Sequence, residues 1–136
     1  MTKVAILGFG TVGSGVAEVL SKNSQGIARR SGGEIQVKYI LDVRDFPDSP
    51  FKDCFVKDFS IIENDPEVEV VVETIGGAKV ALEFTTRALK AGKSVVSSNK
   101  ELVATHGYEL LQLAKANGVS YLFEASVGGG IPILRP

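Results

Sequence analysis

The sequence feature that most constrains the fold is a glycine-rich turn close to the amino terminus. The apolar residues 4–7 are followed at once by Gly8-Phe9-Gly10-Thr11-Val12-Gly13, and apolar residues at helical spacing come after the turn. This order predicts a buried strand, a tight turn and a helix. A turn of this kind between a strand and a helix is typical of a binding site for a dinucleotide. A plain strand-turn-helix without a ligand is the alternative, and the context favours binding.

Each glycine of the motif has a predicted role. Gly8 makes the tight turn, Gly10 lets the backbone approach a pyrophosphate, and Gly13 lets the helix pack closely on the sheet. The free amide groups and the positive end of the helix dipole then meet the phosphates. We therefore predict that the whole motif contacts the cofactor, including Phe9, Thr11 and Val12.

Strands and helices alternate along the rest of the chain. The pattern predicts strands at Ile35–Leu41, at residues 68–72, at Ser94–Ser97 and at residues 119–123, with helices at residues 79–91 and 108–116. Residues 23–34 and 45–58 are polar or contain proline, which predicts surface loops. The apolar, β-branched strands are typical of a parallel sheet that is covered on both faces. We expect an α/β fold of the Rossmann type, with a doubly wound, mostly parallel sheet and helices on both faces.

The composition favours one cytoplasmic domain over residues 1–136. The chain has 44% hydrophobic residues, a formal net charge of -1 and a single cysteine, Cys54. It contains no apolar run long enough to cross a bilayer and no basic block that would follow a nucleic acid. We therefore expect neither a membrane nor a nucleic acid as partner. The glycine-rich residues 128–136 end with apolar side chains that have no evident partner, which predicts that the chain is cut from a longer protein.

The end of the second predicted strand bears on the choice of cofactor. An acidic residue there normally binds the ribose hydroxyls of NAD, whereas a nearby arginine can pair with the 2′-phosphate of NADP. Asp42 occupies the acidic position, and Arg44 lies two residues later. Arg44 is either a phosphate ligand or a solvated loop residue. The sequence leaves NAD and NADP open.

A second group of polar residues follows the Ser94–Ser97 strand. Ser98 and Glu101 have the spacing of a capping box, which predicts that a short helix begins there. Lys100 then lies in the first turn of that helix, where the helix dipole disfavours an ammonium group and invites an anionic or polar substrate. A surface lysine near a helix start is the alternative.

Several motifs together resemble homoserine dehydrogenase. They occur in the same order and span nearly the whole chain. They are the glycine motif, Glu73-Thr74-Ile75-Gly76-Gly77, Ser97-Ser98-Asn99-Lys100, His106-Gly107-Tyr108-Glu109-Leu110 and Glu124-Ala125-Ser126-Val127-Gly128-Gly129-Gly130-Ile131-Pro132. The Asn-Lys motif and the last motif are far more specific than the first.

The resemblance implies NAD(P)-dependent interconversion of L-homoserine and L-aspartate 4-semialdehyde, a step toward threonine, isoleucine and methionine. It places Lys100 beside the nicotinamide and the substrate, in proton transfer or substrate positioning. It also implies a homodimer or higher oligomer, and a second region that binds the substrate. An isolated cofactor-binding fragment is then expected to bind NAD(P) without turnover.

The resemblance implies further site residues. The expected cofactor contacts are Ile75, Gly76, Gly77, Ser97, Ser98 and Asn99. Family members can hold a sodium ion with backbone carbonyls, which here would be those of Glu124, Val127, Gly129 and Ile131. The family often has Thr-Ala where this chain has Ser97-Ser98, and this change keeps a hydroxyl group at the first position.

Two reactive residues are expected to lie outside the site. His106 is predicted to cap or pack a helix. A thiol mechanism needs a base partner and a place at the nicotinamide, whereas Cys54 lies in a charged loop near the second strand, which argues against that mechanism. A free-standing dinucleotide-binding or redox-sensing module without catalysis is the alternative function, but it leaves Lys100 and the final glycine-rich motif unexplained.

Overall fold

A computed structural model of the chain describes residues 2–22 and 35–123. Within these residues, six parallel strands form one sheet with the order β3-β2-β1-β4-β5-β6. The strands are β1 (Thr2–Leu7), β2 (Ile35–Leu41), β3 (Phe55–Val56), β4 (Val68–Glu73), β5 (Ser94–Ser97) and β6 (Tyr121–Phe123). The helices are α1 (Thr11–Lys22), α2 (Phe59–Glu63), α3 (Lys79–Lys90) and α4 (Lys100–Ala116), with a 3-10 turn at Lys52–Cys54. The strand order reverses between β1 and β4, which opens a crevice at their carboxyl ends.

Helices cover both faces of the sheet. Successive residues of a strand point to opposite faces, so a strand can pack against helices on both sides. On one face, Val4 and Ile6 pack with Ala17 of α1. On the other face, Ala5 and Leu7 join an apolar cluster that includes residues of α2, α3 and α4. The predicted fold is therefore confirmed, as are the bounds of β2 and β5.

The start of α4 differs from the sequence prediction. The capping residue is Asn99 rather than Ser98, since the Asn99 side chain accepts a hydrogen bond from the Leu102 amide at 3.0 Å. The predicted capping box is therefore wrong. The sequence predicts a short helix that begins near Ser98 and a second helix at residues 108–116, but the structure has a single helix of 17 residues there. Gly107 does not interrupt it, and a Cβ there would lie 3.4 Å from a side-chain carbon of Val103.

The predicted loop at residues 45–58 contains the short strand β3. Phe55 and Val56 pair with the end of β2. The Phe55 ring lies 4.9 Å from the Phe9 ring and 5.1 Å from the Phe46 ring. These ring contacts hold the strand in place, and a two-residue strand has no periodicity that a sequence pattern could detect.

Ion pairs and hydrogen bonds close the amino end of the sheet. The Lys38 ammonium lies 2.5 Å from Asp65 and 2.9 Å from Glu67, and Lys3 lies 3.0 Å from Glu67. The buried Lys93 ammonium donates to the carbonyl groups of Asp65 and Val68 at 2.7 and 2.9 Å. The charged groups at this end of the strands therefore bind one another.

Three expectations fall on segments outside the described residues: the loop at 23–34, the crossover at 128–136 and the carbonyl site at Glu124, Val127, Gly129 and Ile131. Among the residues that the structure describes, no helix has both the length and the apolar content to span a bilayer.

Candidate functional site

The glycine turn between β1 and α1 has the predicted geometry. Gly8 has a φ of 93°, which L side chains rarely adopt, and its amide donates to the Leu41 carbonyl at 2.8 Å. The Thr74 hydroxyl donates to the Leu7 carbonyl at 2.7 Å and also contacts the Gly8 carbonyl at 3.1 Å. Contacts from β2 and from the end of β4 therefore hold the turn.

Gly10 and Gly13 leave space for different neighbours. A Cβ on Gly13 would lie 1.9 Å from the Gly8 carbonyl oxygen, so this glycine allows the helix to meet the turn. A Cβ on Gly10 would have no neighbour within 4 Å, so the backbone is open there. Helix α1 begins at Thr11, and both Thr11 and Val12 are exposed. The amino end of α1 therefore faces solvent and can receive an anion.

Asp42 lies beside the turn, at the end of β2. Its carboxylate accepts a hydrogen bond from the Phe9 amide at 2.8 Å and another from the Arg44 amide at 2.8 Å. The Arg44 guanidinium also donates to both oxygens, from Nε at 3.0 Å and from Nη2 at 2.9 Å. These bonds, chiefly those from the guanidinium, lower the pKa of Asp42 to about 2. Asp42 is therefore a buried anion, and Arg44 lies directly over it.

The lowered pKa predicts how Asp42 contributes to stability. Because the pKa in the folded chain is below the unfolded value, the contribution is present above about pH 4 and is lost as the pH falls toward 2. Since the Arg44 side chain is 59% exposed, we expect Asp42→Asn to lower the free energy of unfolding by only about 1–2 kcal/mol at pH 7. Urea unfolding of both proteins at pH 7, 5 and 3 should show the difference in unfolding free energy narrowing at the lowest pH. A difference in unfolding free energy between the two proteins that stays constant with pH would contradict the ion pair.

A cleft of about 430 Å³ joins the glycine turn to the ends of β2 and β4. The predicted site residues that line it are Gly8, Phe9, Gly10, Asp42, Arg44, Ile75 and Gly76. Val43, Val80 and Phe84 add apolar surface, and Lys57 adds a second cation. Val43 is 86% exposed, so its side chain is open to contact by a ligand in the cleft. The cleft therefore has apolar, cationic and open-backbone parts, as a dinucleotide requires.

Four further predicted residues, which do not line this cleft, lie at the end of β5 and the start of α4: Ser97, Ser98, Asn99 and Lys100. Ser97 is buried, and its hydroxyl bonds to the Glu73 carboxylate at 2.7 Å. The Asn99 amide group donates to the carbonyls of Ile75 and Gly77 at 2.7 and 2.5 Å. The Ser98 hydroxyl donates to the Glu73 carbonyl at 3.4 Å. These polar side chains thus bond to neighbouring protein groups.

Lys100 is the first residue of α4 and is exposed, so its predicted place in the first helical turn is confirmed. It follows directly the buried Asn99 cap and lies at the carboxyl edge of the sheet, where ligands bind in folds of this kind. The structure therefore presents one exposed cation beside the end of β5.

Two site residues were missed from the sequence. Glu73 ends β4 and is fully buried, and burial raises the pKa of its carboxyl group. A charged residue directly after five mostly apolar strand residues was the available signal. Lys57 was hidden in the predicted loop, because only the pairing of β3 with β2 brings it to the cleft.

His106 and Cys54 lie away from the cleft. His106 contacts Glu109 at 3.1 Å on α4. Burial raises the pKa of the Cys54 thiol, so the thiolate needed for nucleophilic attack is disfavoured. Within residues 2–22 and 35–123, no group of three His, Cys, Asp or Glu side chains could hold a metal ion.

The chain matches the family described as "Homoserine dehydrogenase, NAD binding domain" over residues 8–124. It is 44% identical over 135 residues to homoserine dehydrogenase of Pseudomonas aeruginosa, covering 98% of this chain and 31% of that protein. The Bacillus subtilis homoserine dehydrogenase is 41% identical over 138 residues, with the same coverage.

Solved structures agree with the sequence relatives. The crystal structure of homoserine dehydrogenase from Thiobacillus denitrificans superposes with a TM-score of 0.84 at 39% identity, covering 96% of this chain and 31% of that one. The S. aureus enzyme at pH 7.5 gives a TM-score of 0.85 at 37% identity, covering 95% and 33%. The chain thus spans about a third of the length of these relatives. Together with the glycine turn and the cleft, these matches identify the chain as a member of the homoserine dehydrogenase family that corresponds to its NAD-binding domain.

Proposed function

We propose that this chain binds NAD(P) in the cleft at the glycine turn and is the cofactor-binding part of a homoserine dehydrogenase. The observation that carries the proposal is that the open Gly10 backbone and the Asp42-Arg44 pair line one cleft, and that α1 begins directly after Gly10. The pyrophosphate would lie against Gly10, and the adenosine ribose would lie beside Asp42.

The whole protein would interconvert L-homoserine and L-aspartate 4-semialdehyde. When bound, the reduced nicotinamide supplies a hydride to the aldehyde carbon. Lys100, exposed at the start of α4, would hold a proton near the carbonyl oxygen and stabilise the negative charge that develops there. Transfer of that proton to the oxygen completes the alcohol. Because the chain spans about a third of its relatives, we propose that turnover also needs the remainder of the enzyme.

We propose that the preferred cofactor is NADP. Both oxygens of Asp42 already accept hydrogen bonds from the protein, which leaves less capacity for ribose hydroxyl groups. Arg44 and Lys57 line the same cleft and would pair with a 2′-phosphate. The Lys57 ammonium also donates to the Val43 carbonyl at 2.9 Å, which supports the segment that carries Arg44.

Gly10→Val tests whether the dinucleotide lies at the turn. The substitution should leave the fold intact, because a Cβ at Gly10 would have no neighbour within 4 Å. It should weaken dinucleotide binding at least about tenfold, because the side chain would occupy the space of the pyrophosphate. Calorimetric titration with NADP and NAD measures both proteins.

Two outcomes of this titration would contradict the proposal. A wild-type chain that binds neither dinucleotide would remove the cofactor assignment. Equal affinities for wild type and Gly10→Val would place binding outside the glycine turn.

The other properties of the whole enzyme belong to the same proposal. We propose a cytoplasmic enzyme of amino-acid biosynthesis that acts on a small molecule, assembles with further copies of itself, and has neither a nucleic acid nor a membrane as partner. The nearly balanced charge supports the expectation of no nucleic acid partner, since the formal net charge is -1. A sodium ion at the carbonyl groups of residues 124–131 is part of the proposal through the family resemblance alone.

A further inference from the structure

Glu73 lies at the carboxyl end of β4, one of the two strands that flank the crevice, and β4 lies between β1 and β5. Its backbone pairs with Leu7 of β1 on one side and with Ser97 of β5 on the other. Its side chain is 0% exposed. A buried carboxyl group is costly unless other groups satisfy it, so its contacts should explain why the chain carries it at this position.

The Glu73 carboxyl group bonds to two segments at once. One oxygen accepts a hydrogen bond from the Ile75 amide at 2.8 Å, and the other bonds to the Ser97 hydroxyl at 2.7 Å. Among the described residues, no lysine or arginine forms an ion pair with it. The carboxyl group therefore acts through hydrogen bonds to neutral partners.

Asn99 completes the connection. Its backbone amide donates to the Ser97 hydroxyl at 3.1 Å, and its side chain donates to the carbonyls of Ile75 and Gly77. The same side chain caps α4 through the Leu102 amide. Residues 75–77 and the start of α4 are thus joined by one buried polar cluster, which consists of Glu73, Ser97 and Asn99.

We propose that Glu73 is a positioning residue, which holds residues 75–77 and the first turn of α4 in one fixed arrangement. Gly76 lines the cleft, and Lys100 follows the Asn99 cap directly. This cluster therefore fixes the position of Lys100 relative to Gly76 in the wall of the cleft. The role of the arrangement in binding rests on the proposed function, whereas the arrangement itself can be measured without a ligand.

Glu73→Leu and Glu73→Gln separate the hydrogen bonds from the volume of the side chain. Leucine fills the space but bonds to neither Ile75 nor Ser97. Glutamine can accept from the Ile75 amide and donate to the Ser97 hydroxyl, so it should rescue the arrangement. Amide hydrogen exchange and NADP titration are measured on the whole chain for both variants and wild type.

We expect Glu73→Leu to speed exchange at the Ile75 and Leu102 amides at least about tenfold, while the amides of β1 keep the wild-type rate. NADP affinity should fall about tenfold in the same variant, and Glu73→Gln should restore both values to within about threefold. Thr85→Val is the matched control, because Thr85 is equally buried and its hydroxyl has no hydrogen-bond partner among the described residues. It should change neither value.

Unchanged exchange at both amides in Glu73→Leu would overturn the proposal, and so would a Glu73→Gln variant as impaired as Glu73→Leu. If Glu73→Leu does not fold, Ser97→Ala carries the test, because it removes one partner of the cluster. It should speed exchange at the Asn99 amide, and an unchanged rate there would also overturn the proposal. A wild-type chain that binds no NADP but shows these exchange changes would refute the proposed function and leave the positioning role intact.

Discussion

Gly13→Ala is expected to destabilise the chain severely. The new Cβ would lie 1.9 Å from the Gly8 carbonyl oxygen and 2.8 Å from its carbon, and both are backbone atoms that no rotamer change can move. Helix α1 must therefore shift away from the turn. We expect a loss of at least about 3 kcal/mol of unfolding free energy and a fall in Tm of about 10 °C or more, measured by thermal and urea unfolding.

Gly15→Ala is the matched control for that change. Gly15 lies in the same helix, and a Cβ there would meet nothing within 4 Å. Since alanine favours helix more than glycine does, this variant should be about 0.5–1 kcal/mol more stable than wild type. The two substitutions add the same methyl group two residues apart, so opposite signs would locate the effect at the turn. Equal stability of the two variants would contradict close packing at Gly13.

Arg44→Ala is expected to remove the preference for NADP. Loss of a charge-assisted contact to the 2′-phosphate should weaken NADP binding by roughly 10–150-fold, equivalent to about 1.5–3 kcal/mol. NAD lacks this phosphate, and Arg44→Ala also frees the Asp42 carboxylate from the guanidinium. NAD affinity should therefore stay constant or improve. Calorimetric titration of both cofactors gives the ratio of the two dissociation constants.

Lys90→Ala controls for the change in net charge. Lys90 is exposed and ends α3, whereas Val80 near the start of that helix lines the cleft. This variant should leave the cofactor ratio as in wild type. Lys57→Ala should weaken NADP binding in the same direction as Arg44→Ala. If the ratio of the NADP and NAD dissociation constants does not change in Arg44→Ala, the arginine does not bind the 2′-phosphate.

The glycine turn and several element bounds could be predicted from the sequence because local signals determine them. Gly8 is at a positive φ, and Gly13 has a helix-packing role that the spacing of the motif implies. Gly92 and Gly118 also have positive φ, at 82° and 70°, just after α3 and α4. Glycine adopts this conformation without strain, so both residues are local signals for the end of a helix.

The polar cluster could not be predicted, because tertiary contacts determine it. Ser98 and Glu101 have the correct spacing for a capping box, yet Asn99 caps the helix. The Asn99 side chain also satisfies carbonyl groups of residues 75–77, which are distant in sequence. The role of Glu73 could not be predicted either, because only the pairing of β4 with β5 brings Ser97 next to it. Local capping rules therefore failed where a long-range contact outweighed them.

The comparisons bear on the alternative of a free-standing, non-catalytic module by placing the chain in the homoserine dehydrogenase family. The relatives described above are homoserine dehydrogenases, and the family model covers residues 8–124. The alternative of a free-standing redox-sensing module gains no support from them.

The ion pairs at the amino end of the sheet have a consequence for adaptation. Asp65 and Glu67, which pair with Lys38, precede β4 and lie at the opposite end of the strands from the glycine turn. A six-residue strand is about 20 Å long, which exceeds the Debye length of about 8 Å at physiological salt. Interactions between exposed charges at the two ends of the sheet are therefore largely screened at physiological salt. Exposed charges at the amino end can be exchanged with little effect on the field that a bound phosphate experiences.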